Sequence, residues 1–130
     1  MKRVLIADDE PIERMIVSRT VEKYFSEELT VVSAANGREA VEQFFAGDCQ
    51  IALLDIEMPG MNGLKLAKSI REKDSRALFV FLTSYTRYMK DVFDVVTFDF
   101  IEKPISDEKL LQILERAATY LNITSQHFSF

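Results

Sequence analysis

Two adjacent acids at positions 8 and 9, a lone acid at 55, a hydroxyl at 83 and a lysine at 103 are the residues of this chain whose types and spacing can do chemistry. Each follows an apolar run. Val4-Leu5-Ile6-Ala7 leads into Asp8-Asp9-Glu10, and Ile51-Ala52-Leu53-Leu54 into Asp55. Leu78 to Leu82 leads into Thr83-Ser84, and Phe98 to Glu102 into Lys103. Brought to one edge, these groups make a site of carboxylates, one ammonium and one or two hydroxyls. Carboxylates so close together resist ionising unless a cation compensates. An all-oxygen donor set selects a hard divalent ion, and Mg²⁺ typically uses one or two carboxylates beside a phosphate.

A metal beside a carboxylate, with a lysine and a hydroxyl facing it, meets the needs of phosphoryl transfer, in which positioning and charge neutralisation do most of the catalysis. An aspartate can itself be the acceptor, forming an aspartyl phosphate. Asp55 is accordingly read as the nucleophile and phosphorylation site. Asp9 and Asp55 are read as direct Mg²⁺ ligands and Asp8 as a direct or water-mediated one, with the main-chain carbonyl of Glu57 completing the shell. Lys103 would pair with the phosphate as a point charge, and Thr83 would donate a hydrogen bond to it.

The elements that must position these groups follow from periodicity. Short continuous apolar runs read as strands covered on both faces, here near 4–7, 29–34, 51–54, 78–82 and 98–102. Pro11, tolerated in a first helical turn, opens a helix to about Phe25 whose inner stripe is Ile12, Met15, Ile16, Thr20 and Tyr24. Asn36-Gly37 precedes a helix over 38–45 with Ala40, Val41, Phe44 and Phe45 inward. After the Pro59 to Gly63 loop, Leu64, Ala67 and Ile70, with Leu66 on the flank, form a third helix ending near Lys73. Tyr88, Met89, Val92, Phe93 and Val96 fit a fourth helix, although β-branched and aromatic residues are weak helix formers. Ser106 is a candidate N-cap for a last helix to about Leu121 on Leu110, Leu111, Leu114, Ala117, Ala118 and Leu121. Five strand-helix repeats imply a parallel sheet with helices on both faces, with ligands outside the carboxyl ends of the strands.

At 130 residues the chain has room for one ordinary domain. A net charge of −5 works against phosphate-backbone binding, so no nucleic acid is expected on this chain itself. The single Cys49 cannot form an internal disulfide and reads as a small filler before a strand. The apolar start is cut short by acids at 8–10, too early for a signal peptide, and no run approaches the length of a membrane span. A cytoplasmic location without membrane contact is the expectation.

Asp8-Asp9-Glu10, the Leu53 to Gly63 segment (LLDIEMPGMNG), Thr83-Ser84 after a hydrophobic strand, and Phe98-Asp99-Phe100-Ile101-Glu102-Lys103-Pro104 together resemble the receiver domain of two-component response regulators. The resemblance covers about residues 1–120 in order and spacing. It implies a flavodoxin-like (βα)5 fold with strand order 2-1-3-4-5, a receiver over 1–121, and a tail or linker start over 122–130. It also implies phosphoryl transfer from a sensor histidine kinase's phosphohistidine to Asp55, and a cis Lys103-Pro104 bond. A switch is implied as well, in which Thr83 moves toward the phosphate while the aromatic at 100 turns inward. Phe100 stands where Tyr is common and cannot offer a phenol OH to solvent. The side chains of Glu57 and Tyr85 would flank the route of attacking water.

The output implied is transcription, through a DNA-binding domain outside this chain; the alternative is a stand-alone receiver acting by protein contact. Charges at Lys90, Asp91, Asp94, Asp99, Lys109 and Arg116 would pair across a homodimer formed by the fourth helix, fifth strand and fifth helix. Such a domain is a phosphoacceptor rather than an enzyme, catalysing only its own phosphorylation and dephosphorylation. An aspartate-nucleophile phosphohydrolase would usually carry a second Asp two residues on, where Glu57 stands. A flavodoxin-like or nucleotide-binding module would need a Gly-rich loop after the first strand, where acids stand instead. A docking-only receiver would lack some of the acids, the lysine or the threonine. His127, in the tail, has no role in phosphotransfer or metal binding on this reading.

Overall fold

The computed structural model describes residues 2–84 and 96–127. Its elements run β1 (Lys2–Ala7), α1 (Pro11–Phe25), β2 (Leu29–Ala34), α2 (Gly37–Ala46), β3 (Ile51–Asp55), α3 (Gly63–Lys73), β4 (Leu78–Thr83), β5 (Asp99–Glu102) and a C-terminal helix, α4 (Asp107–His127). The strands form one parallel sheet in the order β2-β1-β3-β4-β5, as expected.

Alternation along the buried strands divides the core into two layers, because successive side chains point to opposite faces. Leu5, Ala52, Leu54, Phe79 and Phe81 pack with Phe44 of α2 and with Leu66, Ala67 and Ile70 of α3. Val4, Ile6, Ile51, Leu53, Val80 and Leu82 pack on the other face with Val17, Val21 and Phe25 of α1 and Leu110, Ile113 and Leu114 of α4. Apolar side chains on both faces leave the polar groups only the strand ends. Buried Cys49 joins the first layer, and burial pushes its thiol up to about 11, as suits an inert filler.

Several expected faces are rotated. In α1 the buried residues are Val17, Thr20, Val21 and Phe25. Ile12, Met15, Ile16 and Tyr24 are exposed, and only Thr20 belongs to both stripes. The two stripes lie roughly a third of a turn apart at 100° per residue, and contact with the sheet selects the second. Phe45 of α2 is exposed, edge-on to buried Phe44, and Val41 is only partly buried. Leu66, expected on a flank, is fully buried, and Ile113 is an additional core residue. Asn36 and Asn62 cap their helices, accepting from the Glu39 and Lys65 amides. Ser106 Oγ likewise accepts from the Lys109 amide at 3.1 Å.

The expected fourth helix, with Tyr85, Tyr88, Met89, Val92 and Phe93, lies outside the described residues, as do Lys90, Asp91 and Asp94. Val96, expected on its inner stripe, is exposed at φ 54°, and its carbonyl accepts from Arg71 Nη2 at 2.9 Å. Asn122 to His127, expected as tail, continue the C-terminal helix. The side chain of His127 and residues 128–130 are outside the description. Asp99 and Arg116, expected to pair between copies, pair with each other within the chain.

Candidate phosphoacceptor site

Strand register assembles the site. Ala7 of β1 lies beside Leu54 of β3, so the next residues, Asp8 and Asp55, leave the sheet side by side. Asp55 lies beside Leu82 of β4, and Thr83 beside Glu102 of β5, which puts Lys103 next along that edge. The Lys103 amide donates to the Thr83 carbonyl at 2.8 Å, continuing the ladder one step beyond β5. The order β2-β1-β3 reverses between β1 and β3, and the crevice of such an open sheet opens there. The Lys103-Pro104 peptide is cis, as the resemblance implied.

The loop after β3 folds back tightly. The Gly63 amide donates to the Ile56 carbonyl at 3.1 Å. A Cβ at Gly63 would stand 2.4 Å from the Asp55 carbonyl oxygen, so only glycine fits beneath the acceptor. Gly60, at φ 80°, takes the left-handed turn. On the β1 side, the Asp8 carboxylate accepts from the Glu10 amide at 2.9 Å, and Arg14 Nη1 donates to the Asp8 carbonyl at 2.6 Å. Both fix the entry into α1.

Asp8 and Asp55 are almost completely buried. Among the described residues, Asp8, Asp9 and Asp55 offer carboxylate oxygens within 4.8 Å of one another. Asp8 Oδ2 has no hydrogen-bond partner. A buried acceptor without a donor, inside an all-oxygen cluster, fits a hard divalent cation. Lys103 Nζ lies 3.1 Å from Asp55 Oδ1. Thr83 is buried, and its hydroxyl donates to Glu57 Oε1 at 2.7 Å. The Ser84 amide also approaches that oxygen, at 3.3 Å, and the Glu57 amide donates to Asp55 Oδ1 at 3.2 Å. Phe100 lies beside Phe81 and is partly buried against the α2/α3 layer. Among the described residues, every site residue expected from the sequence thus lies at this edge or, for Phe100, in the strand leading to it; Tyr85 is outside them.

Two features were not legible in the sequence. Glu13 in the first turn of α1 puts Oε1 2.9 Å from Lys103 Nζ. By position it reads as an ordinary helix N-terminal acid complementing the dipole. The Glu57 carboxylate engages Thr83, whereas the sequence suggested a metal-facing carbonyl and a side chain beside the water route.

Burial pushes the Asp8 carboxyl up to about 8 and that of Asp55 up to about 6, with the neighbouring carboxylates adding to both shifts. Burial works against the Lys103 ammonium, but its contacts with Glu13 and Asp55 outweigh that and raise its pKa. Burial also works against the Glu57 carboxylate, yet the Thr83 hydroxyl and the Asp55 contact hold it below its usual value. These shifts predict how metal-free stability varies with pH. Unfolded aspartates release protons near 3.8, while native Asp55 and Asp8 keep theirs to about 6 and about 8. The unfolded state therefore binds fewer protons across that window, and stability falls as pH rises from about 4 to 8. At about 1.4 kcal/mol per pH unit for each group the loss should total several kcal/mol, roughly 8 at most. Urea unfolding in chelator at a series of pH values checks this; a steady rise in stability over the window would contradict it.

The sequence profile of the response regulator receiver domain matches residues 4–115. The chain belongs to the response regulator receiver family. In that family the domain is a signalling switch rather than a conventional enzyme. The receiver is 33% identical over 115 residues to the positive alginate biosynthesis regulatory protein of Pseudomonas aeruginosa, covering 88% of this chain and 46% of that protein. It is 30% identical over 116 residues to the sensory transduction protein LytT of Bacillus subtilis, covering 89% and 48%. The chain thus spans about half the length of these curated relatives. Among solved structures, the REC domain of AraT, a response regulator from Geobacillus stearothermophilus, superposes with TM-score 0.86 at 28% identity, covering 95% of this chain and 98% of that one. The response regulator TrrA of Thermotoga maritima, solved in complex with Mg(2+)-BeF, gives TM-score 0.75 at 34% identity, covering 89% and 98%. Among the described residues, no helix of the receiver is long and apolar enough to cross a membrane.

Proposed function

We propose that this receiver accepts a phosphoryl group on Asp55 from the phosphohistidine of a sensor histidine kinase and stores it as a conformational signal. The observation that carries the proposal is the buried Asp55 carboxylate, held 3.1 Å from Lys103 Nζ in a three-aspartate cluster with an unpartnered oxygen. Mg²⁺ held by Asp8, Asp9, Asp55 and the Glu57 carbonyl would supply positive charge against the phosphoryl oxygens. An Asp55 oxygen bonds to phosphorus as the P–N bond of the phosphoimidazole breaks, and the electron pair leaves with the imidazole nitrogen. Lys103 offers its ammonium to the new phosphoryl oxygens. Thr83 exchanges Glu57 for the phosphoryl group, and Phe100 fills space on that side of β5.

The receiver is read over 1–121, with its C-terminal helix continuing through His127 into the segment 122–130. The curated relatives are named as regulatory and sensory transduction proteins and are about twice as long. Output through a DNA-binding domain outside these residues is therefore favoured over a stand-alone receiver acting by protein contact. The chain acts in the cytoplasm, where such a kinase presents its phosphohistidine. Calorimetry with beryllofluoride, an acyl-phosphate mimic, tests the site. Saturable binding is expected with Mg²⁺ and none in chelator, whereas binding indifferent to Mg²⁺, or none at all, would sink the proposal. Light scattering with and without the mimic reports whether the homodimer expected through the fourth helix, fifth strand and fifth helix forms; an unchanged mass at high protein concentration counts against it.

A further inference from the structure

Lys103 has two anionic partners, and the nearer is not the phosphoacceptor. Its Nζ lies 2.9 Å from Glu13 Oε1, an ion pair without hydrogen-bond geometry, and donates to Asp55 Oδ1 at 3.1 Å. The lysine side chain is only 16% exposed and that of Glu13 29%, so solvent screens this pair far less than a surface bridge. The contact joins the first turn of α1 to the end of β5 across ninety positions of sequence, and it enters the cleft that also holds Asp9, Asp55 and Glu57. Pro11 starts α1 and Arg14 clasps the Asp8 carbonyl, so the turn bearing Glu13 is held from two sides.

We infer that Glu13 is a positioning residue that holds Lys103 in reserve, so that phosphoryl oxygens on Asp55 must compete with its carboxylate for the ammonium. The inference rests on the phosphoacceptor reading and extends it by one residue. An ammonium has three donors but a single charge. While Glu13 keeps its contact, the positive potential that Lys103 presents to an incoming phosphoryl group is partly cancelled. Glu13 thereby sets how tightly the modified state is held; because its carboxylate also lies against Asp8, the comparison is made with the metal saturating. The Glu57–Thr83 hydrogen bond, 2.7 Å long, is a parallel arrangement on the opposite flank. Both groups that would receive phosphoryl oxygens are engaged by glutamates of the same chain.

The test is beryllofluoride affinity at saturating Mg²⁺ for wild type, Glu13→Gln and Glu13→Asp, with melting in chelator confirming that each variant folds. Gln removes the charge; Asp keeps the charge but shortens the arm by one methylene, so it loses the contact. Both variants are expected to bind beryllofluoride about fivefold tighter than wild type, the scale of one partly screened ion pair. Wild-type or weaker affinity in Glu13→Gln would overturn the inference. Wild-type affinity in Glu13→Asp alone would overturn it too, since the field and not the contact would then be acting. Glu13→Ala replaces either variant that fails to fold. A wild type that binds no beryllofluoride sinks the phosphoacceptor reading, and this inference with it; a wild type that binds, with variants that bind no tighter, sinks this inference alone.

Discussion

Asp55→Asn is expected to abolish Mg²⁺-dependent beryllofluoride binding and at the same time to raise the stability of the metal-free protein. Both effects come from one cause. Asp55 is 1% exposed beside other carboxylates, and its pKa is pushed up to about 6 by burial first and the Glu57 contact second. The sign follows directly. A carboxyl whose native value exceeds its unfolded value favours folding only while protonated, and that contribution is lost as pH rises through the native value. At pH 7.5 the native state therefore carries the cost of an ionised, crowded Asp55. Asparagine keeps the shape and removes the charge, and Lys103 keeps Glu13 as a partner. A gain of about 2 kcal/mol is expected, or roughly 5 to 10 °C in Tm, measured by calorimetry in chelator. A variant that melts below wild type, or that still binds the mimic, would show that Asp55 is neither the strained group nor the acceptor.

Gly63→Ala should damage fold and site together. The added Cβ would meet the Asp55 carbonyl oxygen at 2.4 Å and the Asp55 carbonyl carbon and Ile56 Cα at 3.0 Å, all backbone atoms of β3 and its exit. No flexible side chain is available to yield, so either the start of α3 retreats or Asp55 is displaced. Retreat would loosen Leu64, Leu66 and Ala67 from the core layer they share with Phe79 and Phe81. A loss of roughly 2 to 4 kcal/mol in urea unfolding is expected. Beryllofluoride affinity should fall at least about tenfold, because catalytic geometry tolerates little displacement. Gly60→Ala is the control: that glycine sits at φ 80° with open space around its α-carbon, so only the left-handed penalty of about 1 kcal/mol applies. If Gly63→Ala cost no more than Gly60→Ala and bound the mimic normally, the proposed packing of the loop beneath Asp55 would be wrong.

Much of this architecture is written locally. An apolar run that stops at an ionisable residue says both where a strand lies and which residue its end presents, and a parallel sheet sends all such ends to one edge. For that reason the sequence alone places Asp8, Asp9, Asp55, Thr83 and Lys103 together, along with the strand segments and the cap at Ser106; the cap at Asn62 emerges only in the fold. Helix faces were less legible. On α1, Ile12, Met15, Ile16 and Tyr24 make as good an apolar stripe as Val17, Val21 and Phe25, and periodicity cannot choose between stripes that share Thr20.

That choice also decides Glu13. Turning α1 so that Val17 and Val21 meet the sheet points Glu13 at Lys103 and leaves Ile12 and Ile16 outside. The capture of Thr83 by the Glu57 carboxylate depends likewise on how the loop after β3 packs beside the end of β4. The strand ends and the chemical set they carry are legible in the chain, because both are properties of sequence neighbours. Which partners the lysine and the threonine keep at rest follows from the packed fold, because those contacts join residues far apart in sequence and depend on how each helix is rotated against the sheet.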